Sequence, residues 1–539
     1  MGWRDRTLLV ACAVGVVALA LLLLSAEQRP AVDDPLLAAG PSASAELARR
    51  AAGLVYDDGY YYLVIARRLA AGEGSTFDGR HPTNGYHPLW LLSLLPLARL
   101  PPAALLLAVF ALQTLLAAGA AAFLYRSARL LMQPAASGLA VLVWLVAQSA
   151  YWTLWSGMEY ALHAFVVAAL LDFDLRRRSR SAGGRRCAGA LGLLASAAFL
   201  ARLETLLLAL LLAAVPRRDG RRLGRFFLLP LGATVLAYAA VNAAVFGHPL
   251  PLSAALKSAW SQQLLAADPV RLAHGWLAAK LALLAWPLLH LRRIFALPLL
   301  LALGGAAVIL LRSALAIARR RTGEGGGLHP LTPAAAFAVA QVLAGVVLYH
   351  GGYSFQPWYF VVQPWLAAMV AGLAAGAVER RLRAAGWSRR RTVAVVLAAA
   401  ALLALVVARN AALRRTRLAD FPAEPLYAAA AWSRAQVGRE ETIGAWNAGM
   451  IAFFSGRRVI NLDGLVNSRE FYHRGRHDLC TYWRREGIDY LVDVFPPGDP
   501  LARVARQAAG CAGRLERIWS GPGGPGGEGA AAFRLRPRD

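Results

Sequence analysis

The segment Tyr56-Asp57-Asp58-Gly59-Tyr60-Tyr61-Tyr62 follows the first long apolar run of the chain and opens an amphipathic stretch, Gly59 to Ala71, that we predict to be helical. Ionisable side chains at a membrane boundary are costly to desolvate, which favours a functional role. The structural alternative is an N-cap, because Asp accepts hydrogen bonds from the free N–H groups of a helix. A cap needs one carboxylate, and successive helical residues point about 100° apart. We therefore expect Asp57 and Asp58 to do different work, with at least one of them functional.

The composition is typical of an integral membrane protein. Of the 539 residues, 58% are hydrophobic and 17% are charged, and the mean hydropathy is +0.46. Apolar runs long enough to cross about 30 Å of hydrocarbon recur along the chain. The net charge of +27 would suggest nucleic acid in a soluble protein. Here the arginines lie in clusters between apolar runs, which is the positive-inside pattern: Arg176 to Arg186, Arg217 to Arg225, Arg319 to Arg321 and Arg380 to Arg391. We predict a multi-pass protein of the cell membrane that contacts membrane lipids and binds no nucleic acid.

The arginine clusters also predict the topology. Arg4 and Arg6 keep the N-terminus in the cytoplasm, so the first apolar run, Thr7 to Leu24, crosses outward. A cleaved signal peptide is the alternative, but an apolar core of about eighteen residues exceeds the usual 7–15. Residues 25–86 then form the first outer loop, and 275–291 lie in the interface. About eleven helices cross the membrane, the later ones near 103–125, 136–151, 158–173, 187–201, 204–216, 226–246, 294–312, 331–349, 360–378 and 392–408.

The C-terminal residues 410–539 differ from the transmembrane part at residues 1–409. Short alternating runs such as Arg458-Val459-Ile460-Asn461-Leu462 lie between helix-like segments, which predicts a small soluble α/β domain. The fold class is therefore mainly α, with this α/β domain on the extracytoplasmic side. Because that compartment is oxidising, we expect a disulfide between Cys480 and Cys511.

Polar residues interrupt the apolar runs at span ends that the topology places outside. They share this face with the Asp pair: Tyr60, His87, Glu159, Arg202, Glu204, Lys257, His350, Trp358 and Tyr359. Such convergence favours a site for a lipid-linked anion. Arg202 and Glu204 could equally form an ion pair at the membrane edge, Lys257 could snorkel, and the histidines could be interfacial decoration. No Gly-rich nucleotide loop or His/Cys metal cluster appears, so we predict no cofactor and no metal site, although a divalent cation on a carboxylate stays open.

Several short motifs at these positions resemble a known group of enzymes. They are Asp57-Asp58-Gly59-Tyr60-Tyr61-Tyr62, Asn84-Gly85-Tyr86-His87-Pro88-Leu89-Trp90, Ser156-Gly157-Met158-Glu159, Ala201-Arg202-Leu203-Glu204, and Phe454-Ser455-Gly456-Arg457 followed by Asn461-Leu462-Asp463-Gly464-Leu465-Val466-Asn467. With its many crossings and outer C-terminal domain, the chain resembles the GT-C glycosyltransferases. Within them it is similar to the bacterial relatives of protein mannosyltransferases, aminoarabinose transferases and arabinofuranosyltransferases. The resemblance implies a catalytic base in the first outer loop and a polyprenyl-phosphate sugar as donor.

The predicted activity is that of an inverting glycosyltransferase, which moves a sugar from a polyprenyl phosphate to an extracytoplasmic glycan, lipid or protein. Asp57 or Asp58 is the expected base. The donor phosphate and lipid would be held by Arg202, Lys257, His350 and Tyr359, and the substrate pocket lined by Tyr60, His87, Glu159, Glu204 and Trp358. The rival hypothesis is a transporter or flippase of a lipid-linked sugar, but transporters carry polar or broken spans near the bilayer midplane, whereas these charges lie at span ends. A structural protein that binds cell-wall glycan would leave the Asp pair without a purpose.

Overall fold

The computed structural model describes most of the chain: residues 3–26, 42–151, 153–179, 184–215, 223–289, 296–321, 328–388, scattered positions between 390 and 409, 423–495, 511, 515–523 and 529–535. Helices dominate its N-terminal three quarters. They are α1 (Trp3–Ala26), α2 (Ser42–Leu54), α3 (Asp57–Ala70), α4 (Pro88–Leu94), α5 (Pro102–Ala128), α6 (Pro134–Tyr151), α7 (Tyr160–Ser179), α8 (Arg185–Ala201), α9 (Thr205–Ala214), α10 (Arg225–Phe246), α11 (Leu252–Ala266), α12 (Pro269–Leu289), α13 (Ala296–Arg321), α14 (Thr332–Leu348) and α15 (Val362–Ala384).

Within the described ranges, five helices are long and apolar enough to cross a membrane: α1, α5, α10, α13 and α15. The helices α6, α9 and α14 contain shorter apolar segments. The chain is thus a multi-pass membrane protein, and the number of eleven crossings stays a prediction. Of the last predicted span, 392–408, the structure describes only scattered positions. Segment 275–291 belongs mostly to α12, which is kinked at Gly275.

The bundle core forms where small residues let helices approach closely. The helix α5 packs against α1 and α7, α8 against α10, and α15 against α6 and α13. A Cβ at Gly372 would meet Ala136 and Ala140 of α6 at 3.0 Å, so glycine there allows α6 and α15 to touch. Helix α10, in contrast, exposes most of its apolar length, with Leu236 71% exposed, as expected of a lipid-facing helix.

The C-terminal part of the chain, which we call the outer domain after the side of the membrane predicted for it, confirms the predicted α/β class. Its elements are α16 (Ala423–Gln436), β1 (Thr442–Ala445), α17 (Ala448–Ser455), β2 (Arg458–Asn461), α18 (Leu479–Glu486), β3 (Tyr490–Phe495), β4 (Leu515–Gly523) and β5 (Gly529–Leu535). They form a sheet of order β2-β1-β3-β5-β4, in which β1 pairs parallel with β2 and β3, and β5 pairs antiparallel with β3 and β4. The predicted Cys480–Cys511 disulfide is confirmed, with Cα atoms 5.7 Å apart.

Candidate active site

The Asp pair lies in the first turn of α3, which begins at Asp57, two residues earlier than predicted. The N-cap position belongs to Tyr56, so the capping alternative is wrong for α3: neither carboxylate caps it. The pair has two different environments because successive side chains diverge on a helix. Asp57 points at the outer domain, and Asp58 points into a cavity.

Asp57 caps a different helix, α17 of the outer domain. The Gly449 N–H donates to Asp57 Oδ2 (3.1 Å) and the Met450 N–H donates to Oδ1 (2.7 Å). These are N–H groups of the first turn, which have no partner inside α17. Burial raises the pKa of Asp57 to about 7, although both hydrogen bonds oppose that shift. Asp57 therefore fastens the outer domain to the start of α3.

Asp58 lines a small cavity of about 60 Å³, which we call the polar chamber. Its lining comes from α3, α11 and the loops between helices: Asp58, Tyr61, Tyr62, Gly85, Tyr86, His87, Met158, Glu159, Arg202, Pro251, Ser253, Lys257, Trp358, Tyr359 and Leu465. Burial raises the pKa of Asp58; the positive charge of Lys257 lowers it in part, and Glu159 adds to the rise. A carboxylate with a raised pKa is suited to accept a proton near neutral pH.

A buried charge network forms one wall of the chamber. Arg202 is ion-paired with Glu159 and, through Nε, with Glu204 at 2.6 Å. The Tyr62 hydroxyl donates to Glu159 Oε2 (2.8 Å), and His87 Nε2 lies 3.6 Å from Glu159 Oε1. The Arg202–Glu204 ion pair, which the sequence left open as the alternative to a functional role, is present and holds Arg202 in place.

Lys257 is the cation of the chamber whose charge is least compensated. Its Nζ lies 5.6 Å from the centre of the Tyr359 ring, and the Arg202 guanidinium lies 5.2 Å from the same ring. Among the described residues, no carboxylate lies within ion-pair distance of Lys257. Burial lowers the pKa of His87, so that imidazole is neutral. Lys257 is thus the group most available to an incoming anion.

The chamber continues into a larger, mostly apolar cavity of about 280 Å³ beside the end of α14, which we call the α14 cavity. Both cavities share His87, Arg202, Lys257 and Tyr359, so the two cations lie at their junction. The rest of its wall includes Leu203, Glu204, Ala344, Leu348 and Phe360. The arrangement can hold an anionic group on Lys257 and Arg202 with an apolar chain behind it.

Besides Asp57, which faces the outer domain, two residues predicted for the site lie elsewhere. His350 Nε2 pairs with Asp268 Oδ2 at 3.0 Å and lines neither cavity. The Tyr60 ring packs against Phe453 and Phe454 of α17, and its hydroxyl donates to the Ala52 carbonyl at 2.9 Å. Their side chains hold segments together around the site. The structure gathers the remaining predicted residues at the two cavities: Asp58, His87, Glu159, Arg202, Lys257, Trp358 and Tyr359 in the chamber, and Glu204 in the α14 cavity.

Sequence reasoning missed contributions from the outer domain and from the tyrosines. Leu465 lines the chamber, and the Tyr61 hydroxyl donates to Asp463 Oδ2 at 3.4 Å. Burial raises the pKa of Asp463 to about 8, and the charges of Asp58 and Asp57 add to the shift. The available signal was the Asn461 to Asn467 motif. Within the described residues, no group of three or more His, Cys, Asp or Glu side chains is arranged to hold a metal ion.

Comparison with solved structures identifies the architecture. ArnT from Cupriavidus metallidurans bound to undecaprenyl phosphate is similar with a TM-score of 0.55 at 13% identity, covering 96% of this chain and 97% of that one. The Archaeoglobus fulgidus oligosaccharyltransferase in its apo form is similar with a TM-score of 0.55 at 13% identity, covering 91% of this chain and 69% of that one. The same archaeal enzyme in complex with an inhibitory peptide and a dolichol-phosphate has a TM-score of 0.54 at 12% identity, covering 98% of this chain and 75% of that one. The chain has the GT-C fold.

At this identity the likeness is one of fold. Residues 411–520 also match a family described as a domain of unknown function, DUF8728. No curated protein matches the sequence. The GT-C fold agrees with the resemblance seen in the sequence motifs, and in this fold both the transmembrane helices and the outer domain contribute to the chamber.

Proposed function

We propose that this chain is an inverting glycosyltransferase that moves a sugar from a polyprenyl phosphate to an acceptor hydroxyl outside the membrane. Residues 1–409 would form the transmembrane domain, with a cytoplasmic N-terminus, about eleven crossings and a first outer loop at 25–86. Residues 410–539 would form the extracytoplasmic domain. The glycosyltransferase fold supports the class of activity.

One observation carries the proposal: a half-buried carboxylate, Asp58, and an amine, Lys257, line one chamber that opens into an apolar cavity. A polyprenyl-phosphate sugar has the matching three parts. Its isoprenoid chain suits the α14 cavity, its phosphate suits Lys257 and Arg202, and its sugar would lie in the chamber near Asp58. The structures of ArnT with undecaprenyl phosphate and of the oligosaccharyltransferase with dolichol-phosphate support a lipid phosphate as the donor.

The chemistry follows from these positions. The acceptor oxygen attacks the anomeric carbon as its proton passes to Asp58. The bond between that carbon and the phosphate oxygen breaks, and its electron pair leaves on the phosphate. Attack opposite the leaving group inverts the anomeric configuration. The phosphate gains negative charge as the bond breaks, so Lys257 stabilises the transition state more than the ground state.

The test is transfer by purified full-length protein in lipid nanodiscs. Polyprenyl-phosphate sugars carrying a radiolabelled sugar are incubated with an envelope lipid extract, and products are separated from donor. We expect a labelled product with an inverted anomeric centre and one released polyprenyl phosphate per sugar transferred. A flippase would move the donor across a liposome membrane and form no new glycosidic bond. That result, with every donor sugar tried, would overturn the proposal.

A further inference from the structure

A second apolar cavity, of about 330 Å³, lies beside the chamber. We call it the α10 cavity, because Ala237, Tyr238, Val241 and Phe246 of α10 form most of its wall, with Leu200 of α8 opposite. Its volume is in the range of small-ligand sites. The function proposed above does not use this cavity.

The cavity borders a face of α10 that a membrane around this helix would cover. Ala237 and Val241 are exposed, Val241 at 56%, and α10 is one of the helices long enough to cross the membrane. Its inner end is polar: the Asn84 side-chain amide donates to Asn242 Oδ1 at 2.7 Å. A molecule that enters here therefore comes from the bilayer with an apolar chain.

The α10 cavity adjoins the chamber at Tyr86, which lines both and whose hydroxyl lies 2.6 Å from the Ser75 hydroxyl. A chain in the cavity thus places its head next to Tyr86, a part of the chamber wall that the α14 cavity does not share. The two apolar cavities differ in charge. Lys257 and Arg202 lie at the mouth of the α14 cavity, whereas no charged side chain among the described residues lines the α10 cavity.

We infer that the α10 cavity binds the apolar chain of a lipid-borne acceptor, whose hydroxyl-bearing head enters the chamber past Tyr86. The inference rests on the proposed function and narrows its acceptor from glycan, lipid or protein to lipid. The charge difference decides which substrate uses which cavity. A donor phosphate needs the cations of the α14 cavity, and an uncharged glycolipid or lipid alcohol does not.

Photolabelling tests the inference without turnover. The probe is a dodecyl glucoside with a diazirine near the end of its alkyl chain, added to the full-length protein in nanodiscs and mapped by peptide mass spectrometry. We expect label on α10 and on Leu200. Ala237→Trp should lower that labelling about tenfold, because the indole fills part of the cavity and the alkyl chain loses the affinity that roughly two buried methylenes contribute. Ala240→Trp is the matched control, since Ala240 is exposed on the same helix and does not line the cavity.

Three results would overturn the inference. Labelling spread evenly around α10 would mean ordinary bilayer contact, and labelling unchanged in Ala237→Trp would place the probe elsewhere. If undecaprenyl phosphate displaces the probe from the α10 cavity of the unmodified protein, the cavity is the donor site. This measurement needs no variant. The transfer assay separates the two proposals. Labelling of the α10 cavity without any sugar transfer would reject the proposed glycosyltransferase activity. Sugar transfer without labelling of the cavity would reject the acceptor site.

Discussion

Asp57 and Asp58 show how adjacent residues of one type acquire different work. The backbone of α3 turns one carboxylate toward α17 and the other toward the chamber. Asp57 accepts two N–H groups at the positive end of a helix, which favours its ionised form, while burial opposes it. Asp57 is therefore a positioning residue, and Asp58 is the candidate base.

Replacing Asp57 by alanine should loosen the outer domain. Asp57→Ala leaves the N–H groups of Gly449 and Met450 without their carboxylate, at a cost of about 1–2 kcal/mol. We expect faster hydrogen exchange of residues 448–455, with Asp57→Asn intermediate because its amide oxygen still accepts one bond. If Asp57→Ala exchanges at the same rate as the parent protein, the two hydrogen bonds to Asp57 do not hold the outer domain in place.

Lys257 should govern donor binding. Lys257→Met removes the amine from the junction of the chamber and the α14 cavity. We expect the affinity for undecaprenyl phosphate to fall by roughly tenfold to a hundredfold, because one charge-assisted contact is lost. Lys257→Arg should recover part of that affinity, because it keeps the positive charge. The measurement is lipid titration by native mass spectrometry. Arg439→Met, at an exposed position of the outer domain, controls for net charge; equal weakening in that variant would contradict a local role.

At the scale of elements, the loop from Thr76 to His87 ties the chamber to the outer domain. His81 Nδ1 lies 2.6 Å from Asp78 Oδ2 of the same loop, and His81 Nε2 lies 3.1 Å from Glu486 Oε2 at the end of α18. Further along, Gly85 approaches the Leu465 carbonyl so closely that a Cβ would overlap it. The outer domain thus holds in place the loop that supplies Tyr86 and His87 to the chamber.

This attachment should depend on pH. Asp78 and Glu486 raise the pKa of His81 against the opposing effects of burial and Arg458. A raised folded-state pKa gives stability that is complete below the ordinary pKa of about 6.5 and lost as pH rises through the folded value. We expect hydrogen-exchange protection of residues 76–87 to fall as the pH rises from about 6.5 through the folded-state pKa of His81, after correction for intrinsic rates. His81→Gln should flatten that change; the same fall in His81→Gln would refute the role of the imidazole.

The helices were predictable from the sequence, and the site was predictable in part. Long apolar runs and short polar motifs are local signals, so α1, α5, α10 and the chamber residues Asp58, Arg202 and Lys257 could be found. The role of Asp57 could not, because its partner Gly449 lies 392 residues away along the chain. His350 was misplaced for the same reason: its partner Asp268 belongs to another helix-connecting turn. Local composition indicates a polar face and does not show which partner each side chain finds.

At the scale of the whole molecule, the chamber lies where the transmembrane bundle meets the outer domain. Asp58 comes from α3, Lys257 from α11 and Leu465 from the outer domain, and apolar cavities lie on two sides. Such a site exists only when the outer domain is folded and docked. Its own stability therefore bears on activity.

Loss of the Cys480–Cys511 disulfide should destabilise that domain. The bond closes a loop with a sequence separation of 31 residues, for which chain entropy gives about 3–4 kcal/mol. We expect Cys480→Ser to lower the melting temperature of the outer domain, followed by the near-ultraviolet circular dichroism of its tryptophans, and reductant to do the same to the parent protein. A Cys187→Ser variant is the control. Unchanged melting under reduction would mean that the bond contributes little.

If Asp58 takes the proton from the acceptor, loss of its carboxylate must slow sugar transfer without abolishing lipid binding. Purified Asp58→Asn and Asp57→Asn proteins are assayed for single-turnover transfer from a polyprenyl-phosphate sugar, with binding of undecaprenyl phosphate measured on the same samples. We expect Asp58→Asn to lower the transfer rate by about two to four orders of magnitude while binding persists, and Asp57→Asn to keep most of its activity. Full transfer by Asp58→Asn, or a larger loss in Asp57→Asn, would contradict this role of Asp58.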